Sequence, residues 1–314
     1  MENRTSRCSV GHFSARTVKI ALVAAGGGWH ARDLLRAASH LSLEIQLVNF
    51  RALDACVGPA DDHKNGNVYG KDVDLQTVDR VLVRTMPAGS LEQIIYRMDV
   101  LHSLAAAGVP VLNPPRALEA AIDKYLSLSR IAAAGLPVPS TRVSESAASA
   151  LVSFEELGGD VVTKPLFGSE GQRLCRMTHP SDAAEHFRQL EEAGEVIYQQ
   201  MFVDHPGWDF RVLVVGEEVV GSMKRTAADG WITNVARGGR AERTILPVEA
   251  HDLALRATRA VGAEVAGVDL VPDRHGNLWV LEANAVPGWR ALGNVEDRDF
   301  AALILRYLID RSPN

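Results

Sequence analysis

Short apolar runs alternate with helical patterns over the first 112 residues, and this alternation constrains the fold more than any other feature. The apolar runs, each about the length of a strand, are residues 19–25, 44–50, 80–84 and 109–112. One helical pattern places Leu34, Leu35, Ala38 and Leu41 on one face, and residues 91–107 form a second. Strands that alternate with helices predict a small parallel α/β domain over residues 18–112. Residues 1–17 lack a continuous apolar stretch and are expected to form a flexible tail.

A second unit is expected to begin after Asn113-Pro114-Pro115. One long helix is predicted over residues 117–134, because Gly135 is a typical C-terminal stop. Strands at 161–165 and 196–202 are predicted to flank a helix near 182–193. From Phe210 the chain is richer in strands, predicted at 210–216, 218–225, 266–273 and 277–285, with helices at 249–261 and 299–310.

The composition excludes several classes of protein. Hydrophobic residues make up 46% of the chain and charged residues 23%, as in an ordinary soluble globular protein. The net charge is −6 without a long basic run, so nucleic acid and acidic membrane surfaces are poor partners. Cys8, Cys56 and Cys175 are too few and too scattered for a disulfide framework or a zinc site, and they fit a reducing cytoplasm. No apolar run approaches the ~18 residues of a membrane helix.

The last two predicted strands carry the most informative polar residues. Asp269 lies in the first of them, and Glu282 and Asn284 lie two residues apart in the second, so they share one face. If His275-Gly276 forms a two-residue turn, counting back along the hairpin places Asp269 directly opposite Glu282. Two carboxylates at ~5 Å between Cβ atoms repel each other unless a cation lies between them. Three hard oxygen ligands therefore predict Mg²⁺ or Mn²⁺ shared with phosphate oxygens.

A solvated surface hairpin is the alternative interpretation of these acids. Apolar residues flank the acids on both strands, which disfavours a solvated face, because an unpaired charge among apolar residues is very costly. A one-residue bulge would also change the register and separate the two acids.

Cationic residues indicate where an anion would bind. Lys164 lies in an otherwise apolar or β-branched run, so its amine must reach solvent or an anion. The loop that follows, Gly168–Gly171, can offer backbone N–H groups to phosphate oxygens, although glycine pairs are common in turns. Lys124, in a helical stretch, is alternatively a solvated surface residue. Further polar residues surround Gly238-Gly239 and are open to interpretation as a phosphate clamp or a basic hairpin loop: Lys224, Arg225, Asn234, Arg237 and Arg240.

Seven short motifs follow one another from Asp123 onward. They are Asp123-Lys124; Gly135-Leu136-Pro137-Val138-Pro139; KPLFGSEG at 164–171; Asp209-Phe210-Arg211-Val212; Asn234 with Arg237-Gly238-Gly239; Ala266-Gly267-Val268-Asp269-Leu270; and Leu281-Glu282-Ala283-Asn284 with Pro287-Gly288. This series resembles the RimK-like branch of the ATP-grasp superfamily. The resemblance implies an α/β and α+β protein with the ATP-grasp fold, in which two lobes, here 113–201 and 202–314, hold ATP behind the N-terminal α/β domain.

The resemblance also implies roles for individual residues. Those that match the metal ligands, in agreement with the hairpin argument, are Asp269, Glu282 and Asn284. Those that match cations around the phosphates and the acyl substrate are Arg211, Arg225 and Arg237. Those that match contacts to ATP are Lys124, Lys164, Gly168, Ser169, Glu170, Gly171, Gln200, Met201, Phe202 and Asp209. Gln200 departs from the pattern, since the family usually has Glu there; the contact in doubt is one to the adenine amino group, which the Gln carbonyl oxygen can also make.

The activity implied by the resemblance is that of an ATP-dependent carboxylate–amine ligase. A substrate carboxylate attacks the γ-phosphate of Mg²⁺-bound ATP, and the amine of L-glutamate converts the resulting acyl phosphate into an amide. Such catalysis rests on positioning and charge neutralisation, without a protein nucleophile. Residues 83–93 resemble RimK-type ligases found with tetrahydromethanopterin-linked one-carbon genes in methylotrophic bacteria, which implies a C1-carrier coenzyme or its precursor as the acceptor. A protein acceptor and a homo-oligomer are left open.

Two other functions are weighed against the ligase. Gly26, Gly28 and Ala31 satisfy the G-x-G-x-x-A pattern of nicotinamide-dependent oxidoreductases, but the second strand ends at Asn49-Phe50, where an acid for the ribose is expected. A non-catalytic ATP-binding protein is the second alternative, and the complete set of metal ligands argues against it. The sequence contains no G-x-x-x-x-G-K-[ST], which disfavours a P-loop kinase or GTPase.

Overall fold

The computed structural model describes residues 17–59, 66–168 and 173–311. The predicted tail lies outside the described residues, apart from Thr17. Ser169, Glu170 and Gly171 of the predicted phosphate loop also lie outside them. In the ranges that are described, no helix is both long and apolar enough to cross a membrane.

The N-terminal part of the chain forms a parallel sheet with helices, as predicted. Its elements are β1 (Lys19–Ala24), α1 (Trp29–His40), β2 (Glu44–Asn49), β3 (Asp54–Ala55), β4 (Val68–Gly70), β5 (Val73–Asp74), β6 (Arg80–Val83), α2 (Leu91–Ala106) and β7 (Val111–Leu112). The parallel sheet has the order β2-β1-β6-β7, so the chain steps from β1 to one side and then crosses to the other. A small antiparallel sheet, β3-β4-β5, is inserted between β2 and β6 and was not predicted.

Local capping explains where α2 begins and ends. The Ser90 side chain accepts the N–H of Gln93, and the Gln93 side chain accepts the N–H of Ser90, which satisfies two of the free N–H groups of the first turn. At the other end Gly108 has φ of +85°, a conformation that glycine adopts at little cost, and the chain leaves the helix there.

The second unit contains an antiparallel sheet with its own small core. Its elements are α3 (Pro115–Ile122), α4 (Lys124–Ala133), β8 (Thr141–Ser144), α5 (Ala147–Glu156), β9 (Val161–Lys164), β10 (Cys175–Met177), α6 (Pro180–Glu192) and β11 (Ile197–Met201). The sheet has the order β10-β9-β11-β8. Its buried core is separate from the rest of the molecule and consists of Ala150, Phe154, Val161, Ala183, Phe187 and Ile197.

The prediction of one long helix over residues 117–134 was wrong, because the helix breaks at Asp123. Asp123 has extended backbone angles, and its carboxylate accepts the N–H groups of Tyr125 and Leu126 at 2.8 and 3.0 Å. An Asp that caps these N–H groups starts a new helix at the next residue. Lys124 is therefore the first residue of α4 and lies at a helix end, not in the middle of a helix surface.

The last unit is a five-stranded sheet with three helices. Its elements are β12 (Trp208–Val215), β13 (Glu218–Thr226), β14 (Arg240–Arg243), α7 (Val248–Val261), β15 (Val265–Pro272), β16 (Leu278–Asn284), α8 (Arg290–Val295) and α9 (Phe300–Asp310). The sheet is antiparallel and has the order β14-β13-β12-β15-β16. Short 3₁₀ turns occur at Phe50–Ala52 and Val235–Arg237.

Two large buried clusters join the N-terminal sheet to this last sheet. The first packs around α3, α4 and α7 and includes Val81, Leu101, Ile131, Ala257 and Val268. The second packs around α1 and α9 and includes Leu22, Leu34, Phe300, Ile304 and Leu308. The buried side chain of Asn113 reinforces the junction. Its amide nitrogen donates to the carbonyl oxygens of Val265 and Ala285, and its oxygen accepts the N–H groups of Glu264 and Val265.

The hairpin β15–β16 places Asp269 opposite Glu282, as predicted, but by a different route. The predicted two-residue turn was wrong: Asp273 pairs with Asn277, and three residues, with Gly276 at φ +90°, connect them. This extra loop residue shifts the register by one. A bulge at Leu281, between the Leu270–Val280 and Asp269–Glu282 pairs, shifts it back. The two deviations cancel, and the acids face each other.

Candidate active site

One cleft brings together ten of the predicted site residues. It lies between the sheet of β8–β11 and the sheet of β12–β16. The predicted residues that line it are Lys124, Lys164, Gly168, Gln200, Met201, Phe202, Asp209, Arg225, Asp269 and Glu282. The lysines and Gln200 line the β8–β11 side, and the acids and Arg225 line the other, so the cleft is polar along both walls.

Two lysines reach the cleft without a carboxylate partner among the described residues. Lys164 Nζ donates to Gln200 Oε1 at 2.7 Å, and Lys124 Nζ donates to the carbonyl oxygen of Gly168 at 2.9 Å. Burial lowers the pKa of Lys164 to about 8; Glu282 and Asp269 oppose this shift, and Lys124 adds to it. Burial also lowers the pKa of Lys124. Two neighbouring, poorly solvated cations favour the arrival of an anion.

Acids and arginines alternate along one face of the sheet of β12–β16. Cross-strand register places Asp209 opposite Arg225, Arg211 opposite Asp269, and Asp269 opposite Glu282. Arg225 Nη2 lies 2.5 Å from Asp209 Oδ2 and 2.9 Å from Asp269 Oδ2. Arg211 Nη1 lies 2.8 Å from Asp269 Oδ1 and 3.8 Å from Glu282 Oε1. The two arginines therefore hold Asp269 between them.

A glycine makes room for this arrangement. The Arg211 guanidinium lies over Gly267, where an added Cβ would be 2.4 Å from Nη2. A side chain at this position would displace the guanidinium from Asp269, because non-bonded atoms do not approach each other that closely. This close approach explains why glycine precedes the Val268-Asp269 segment in β15.

The three carboxyl groups differ in their electrostatics. Burial opposes the ionisation of Asp269, but Arg211 and Arg225 lower its pKa to about 2. Burial outweighs Arg225 at Asp209, whose pKa is raised. Desolvation in the cleft and the charge of Asp269 raise the pKa of Glu282, whose side chain nevertheless remains 41% exposed toward the cleft. Glu282 is thus the carboxylate with the least compensated charge.

The predicted metal site fits a hard cation, although one step of the prediction was wrong. Repulsion between Asp269 and Glu282 does not by itself require a metal, because Arg211 already lies between them. The Asn284 Oδ1 accepts the N–H of Val286 at 2.8 Å. In the described part of the chain no three His, Cys, Asp or Glu residues are placed to hold a metal. The predicted set has only two acids, and its third member is an amide. The carboxylate oxygens of Asp269 and Glu282 and the amide oxygen of Asn284 each retain a free lone pair, as Mg²⁺ or Mn²⁺ would need.

Arg237 is not brought into the cleft. It lies exposed on the turn Val235–Arg237, whereas its neighbours Thr233 and Asn234 line the cleft. Thr233 Oγ1 donates to Asp209 Oδ2 at 2.7 Å. Sequence reasoning missed Thr233, because a lone Thr in a loop carries no signal and its partner is 24 residues away.

The apolar part of the cleft was also missed. Val162, Leu174, Val271 and Leu281 line it together with Trp231. The Trp231 and Phe202 rings meet edge to face with centroids 5.8 Å apart. In the sequence such residues resemble ordinary core residues, so only the fold shows that they form a slot beside the polar groups, where a flat ring would fit.

Comparison with known proteins gives the family. Residues 121–308, more than half of the chain, match the family model described as the RimK-like ATP-grasp domain. This chain belongs to the RimK-like ATP-grasp family. It is 31% identical over 313 residues to a protein of Methanosarcina acetivorans named tetrahydromethanopterin:alpha-L-glutamate ligase, with 89% of this chain and 95% of the relative covered. It is 34% identical over 211 residues to a probable alpha-L-glutamate ligase of Haemophilus influenzae, with 67% and 70% covered.

Solved structures of the ATP-grasp fold superimpose on nearly the whole chain. The ATP-grasp ligase PsnB, complexed with minimal precursor, matches with a TM-score of 0.73 and 21% identity, over 95% of this chain and 100% of that one. A RimK domain ATP-grasp protein from Sphaerobacter thermophilus matches with a TM-score of 0.71 and 24% identity, over 93% and 100%. The fold is therefore ATP-grasp, and the RimK-like ATP-grasp protein is a ligase. Neither the oxidoreductase nor the non-catalytic alternative is retained.

Proposed function

We propose that this RimK-like ATP-grasp ligase uses ATP with Mg²⁺ to join L-glutamate to a carboxylate of a small-molecule acceptor, a C1-carrier coenzyme of the tetrahydromethanopterin type or its precursor. The observation that carries the proposal is the cleft in which Lys124 and Lys164 face Asp269 and Glu282. The choice of acceptor is supported by the Methanosarcina acetivorans relative, whose similarity covers 89% of this chain and so extends beyond residues 121–308.

The two sheets that flank the cleft are proposed as the ATP-binding lobes, within residues 113–201 and 202–314. The apolar slot formed by Phe202, Trp231 and Leu281 suits the adenine ring. Lys124 and Lys164 lie at the phosphate end, where an anion would offset their buried charge. Gln200 holds Lys164 in place through its carbonyl oxygen, so adenine binding rests mainly on the apolar slot and the backbone of β11.

Charge neutralisation is the proposed role of the opposite wall. A divalent cation held by Asp269, Glu282 and Asn284 would neutralise the phosphate oxygens of ATP. Arg225 keeps Asp269 ionised and oriented. Arg211, which lies between the two acids, is placed to attract the substrate carboxylate toward the γ-phosphate. Arg237 is proposed to approach the same anions from the loop around Gly238-Gly239.

In the proposed reaction a carboxylate oxygen of the acceptor bonds to the γ-phosphorus of ATP, and ADP leaves. The glutamate amine then attacks the acyl carbon, an amide bond forms, and phosphate leaves with the displaced oxygen. The residues of this chain position the reactants and stabilise negative charge on the transferred phosphoryl group, which is the main demand of this chemistry.

The proposal is tested by incubating the protein with ATP, Mg²⁺, L-glutamate and tetrahydromethanopterin and following ADP release and product mass. We expect ADP release that depends on both substrates and a product heavier by one or more glutamyl residues. The same assay with other amino acids and without acceptor provides the control. ADP release that yields an amide of a different amino acid, or no amide at all, would contradict the proposal.

A further inference from the structure

Arg84 is a buried cation whose side chain has no hydrogen-bond or ion-pair partner among the residues that the structure describes. It immediately follows β6, is only 8% exposed, and its Nε has no hydrogen-bond acceptor. No Asp or Glu within the described ranges forms an ion pair with it. The apolar side chains Leu34, Leu82 and Ile304 line the small cavity beside it. A buried guanidinium normally has a carboxylate or a set of carbonyl oxygens, so this one is prepared for an anion that the protein itself does not supply.

The Arg84 side chain is held on a rigid platform. Its Cζ lies 4.7 Å from the centroid of the Trp289 ring. Trp289 Nε1 donates to Asp33 Oδ2 at 2.8 Å, and its backbone N–H donates to His30 Nε2 at 3.1 Å. Burial and the charge of Arg84 lower the pKa of His30 to about 4, so His30 stays neutral and keeps the lone pair that this hydrogen bond needs. The platform therefore fixes the guanidinium before any ligand arrives.

The position of Arg84 in the fold also points to a ligand. β1 and β6 are neighbours, and the connections that leave their carboxyl ends run to opposite sides of the sheet. Ligands of open α/β sheets bind in the crevice at such a switch point. Gly26, Gly27 and Gly28 follow β1 at this edge, and a Cβ added to any of them would meet no atom within 4 Å. The edge of the sheet at these three glycines is therefore open.

Arg84 lies close enough to Arg211, on the sheet of β12–β16, for the two positive charges to repel each other. Burial, and after it the charge of Arg211, lower the pKa of Arg84 to about 9. Arg211 in turn contacts Asp269 and lies 3.8 Å from Glu282. A planar guanidinium binds a carboxylate through two parallel hydrogen bonds, and a carboxylate would offset the cost of burying this charge.

We propose that Arg84, held on Trp289 at the carboxyl edge of the N-terminal sheet, binds a carboxylate of a substrate on the far side of Arg211 from the nucleotide. The inference rests on the proposed function for the identity of the substrates, which offers two sources of that carboxylate: L-glutamate and the acceptor. Arg84 is thus a substrate-binding residue of the N-terminal domain, in a small cavity separate from the lining of the cleft.

The test compares Arg84→Met with Arg97→Met in the full-length protein. Arg97 is a matched control, because it is equally buried in the N-terminal domain, at 3% exposed, but donates to the carbonyl oxygen of Pro87 at 2.5 Å. We expect Arg84→Met to raise the KM of one carboxylate substrate at least about tenfold, the size of one lost charge-assisted contact, with the KM of ATP unchanged. The substrate whose KM rises is the source of the carboxylate.

Thermal stability separates this role from a structural one. We expect Arg84→Met to keep or raise the melting temperature of the ligand-free protein, because an uncompensated buried charge is removed. Arg97→Met should lower the melting temperature and leave every KM unchanged. Arg84→Lys, which keeps the charge but loses the planar fork, should give a KM between those of wild type and Arg84→Met.

Unchanged substrate KM values in Arg84→Met, or a fall in melting temperature with proportional loss of all activity, would overturn the inference. The proposed function fails separately, if the wild-type protein forms no amide from L-glutamate and the acceptor. In that case glutarate, a dicarboxylate, is the probe for carboxylate binding at Arg84. Glutarate must raise the melting temperature of the wild-type protein and not that of Arg84→Met, and the absence of this difference refutes the binding site.

Discussion

At the scale of single residues, the pH dependence of ATP use should report on Lys164. The folded-state pKa of Lys164 is about 8, below the ordinary value of 10.5. In the free enzyme the amine loses its positive charge as pH rises through about 8, and kcat/KM for ATP should fall over the same range. Gln200→Glu places a carboxylate where Gln200 Oε1 now accepts from Lys164 at 2.7 Å. It should raise the pKa of Lys164 and move this fall to higher pH.

Gln200→Met is the control for this substitution. It removes the hydrogen bond without adding a charge, so the fall in kcat/KM should not move upward. A pH profile that stays flat from pH 7 to about pH 9.5, or that responds equally to Gln200→Glu and Gln200→Met, would show that Lys164 does not control ATP use.

Neutralising Asp269 and neutralising Glu282 should affect the free energy of unfolding differently. Glu282→Gln should abolish ligation and leave the free energy of unfolding unchanged or increased, because burial and Asp269 already disfavour the ionised form of Glu282. Asp269→Asn should also abolish ligation, but it leaves Arg211 and Arg225 without their shared anion and should cost ~3–5 kcal/mol of stability. Denaturant unfolding of both variants measures the difference, and equal stabilities would contradict the charge arrangement described above.

At the scale of secondary-structure elements, the helix break at Asp123 positions Lys124. Asp123→Ala removes the acceptor of two backbone N–H groups and should cost ~1 kcal/mol. Because Lys124 is the next residue, the KM of ATP should also rise. Ser146→Ala is the matched control. Ser146 caps α5 by accepting the N–H of Ser149, so its loss should cost similar stability without changing the KM of ATP. A KM that rises equally in both variants would mean that α4 does not place Lys124.

Helices and strands with a strong apolar pattern were predictable from the sequence. Features that depend on one capping side chain or on pairing between distant strands were not. Strands such as β1 and β12 lie within two residues of their predicted positions, since buried strands require continuous apolar runs. The short strands β3, β5, β8 and β14 were missed because polar residues interrupt them, whereas the equally short β6, β7 and β9 lie in apolar runs and were predicted. Helix α5 was missed despite the capping signal of Ser146. The register of β15–β16 was correct only because the loop residue and the bulge at Leu281 cancel.

The residues that line the cleft were predictable where a charged side chain stands among apolar ones. Lys164, Asp269 and Glu282 stand out because charged residues interrupt apolar strands, where they need a partner. Arg84 ends the apolar run RVLVR and was not singled out. Its significance depends on the absence of a partner and on contact with Trp289, which is 205 positions away, and no local pattern contains that information.

At the scale of the whole molecule, nucleotide binding should stabilise the fold. Because the cleft is built by two sheets, a ligand that binds only the folded protein raises its melting temperature by mass action. We expect a rise with ATP and Mg²⁺ and none with NADH, measured by thermal unfolding at equal ligand concentrations. Lys164→Met should greatly reduce the rise with ATP. A rise with NADH but not with ATP would contradict the proposal that ATP binds in the cleft.

The small separate core beneath β8–β11 has a consequence for how the nucleotide enters. The other wall of the cleft belongs to a frame that two large clusters and Asn113 join to the N-terminal sheet. Among the described residues, the β8–β11 wall has its own small core and is not part of the two large clusters, so less free energy is needed to displace it than the other wall. We therefore expect the cleft to open asymmetrically. The β12–β16 sheet would stay in place, and the β8–β11 sheet would move away from it to admit ATP and release ADP. Amide hydrogen exchange should then slow on nucleotide binding mainly in residues 141–201.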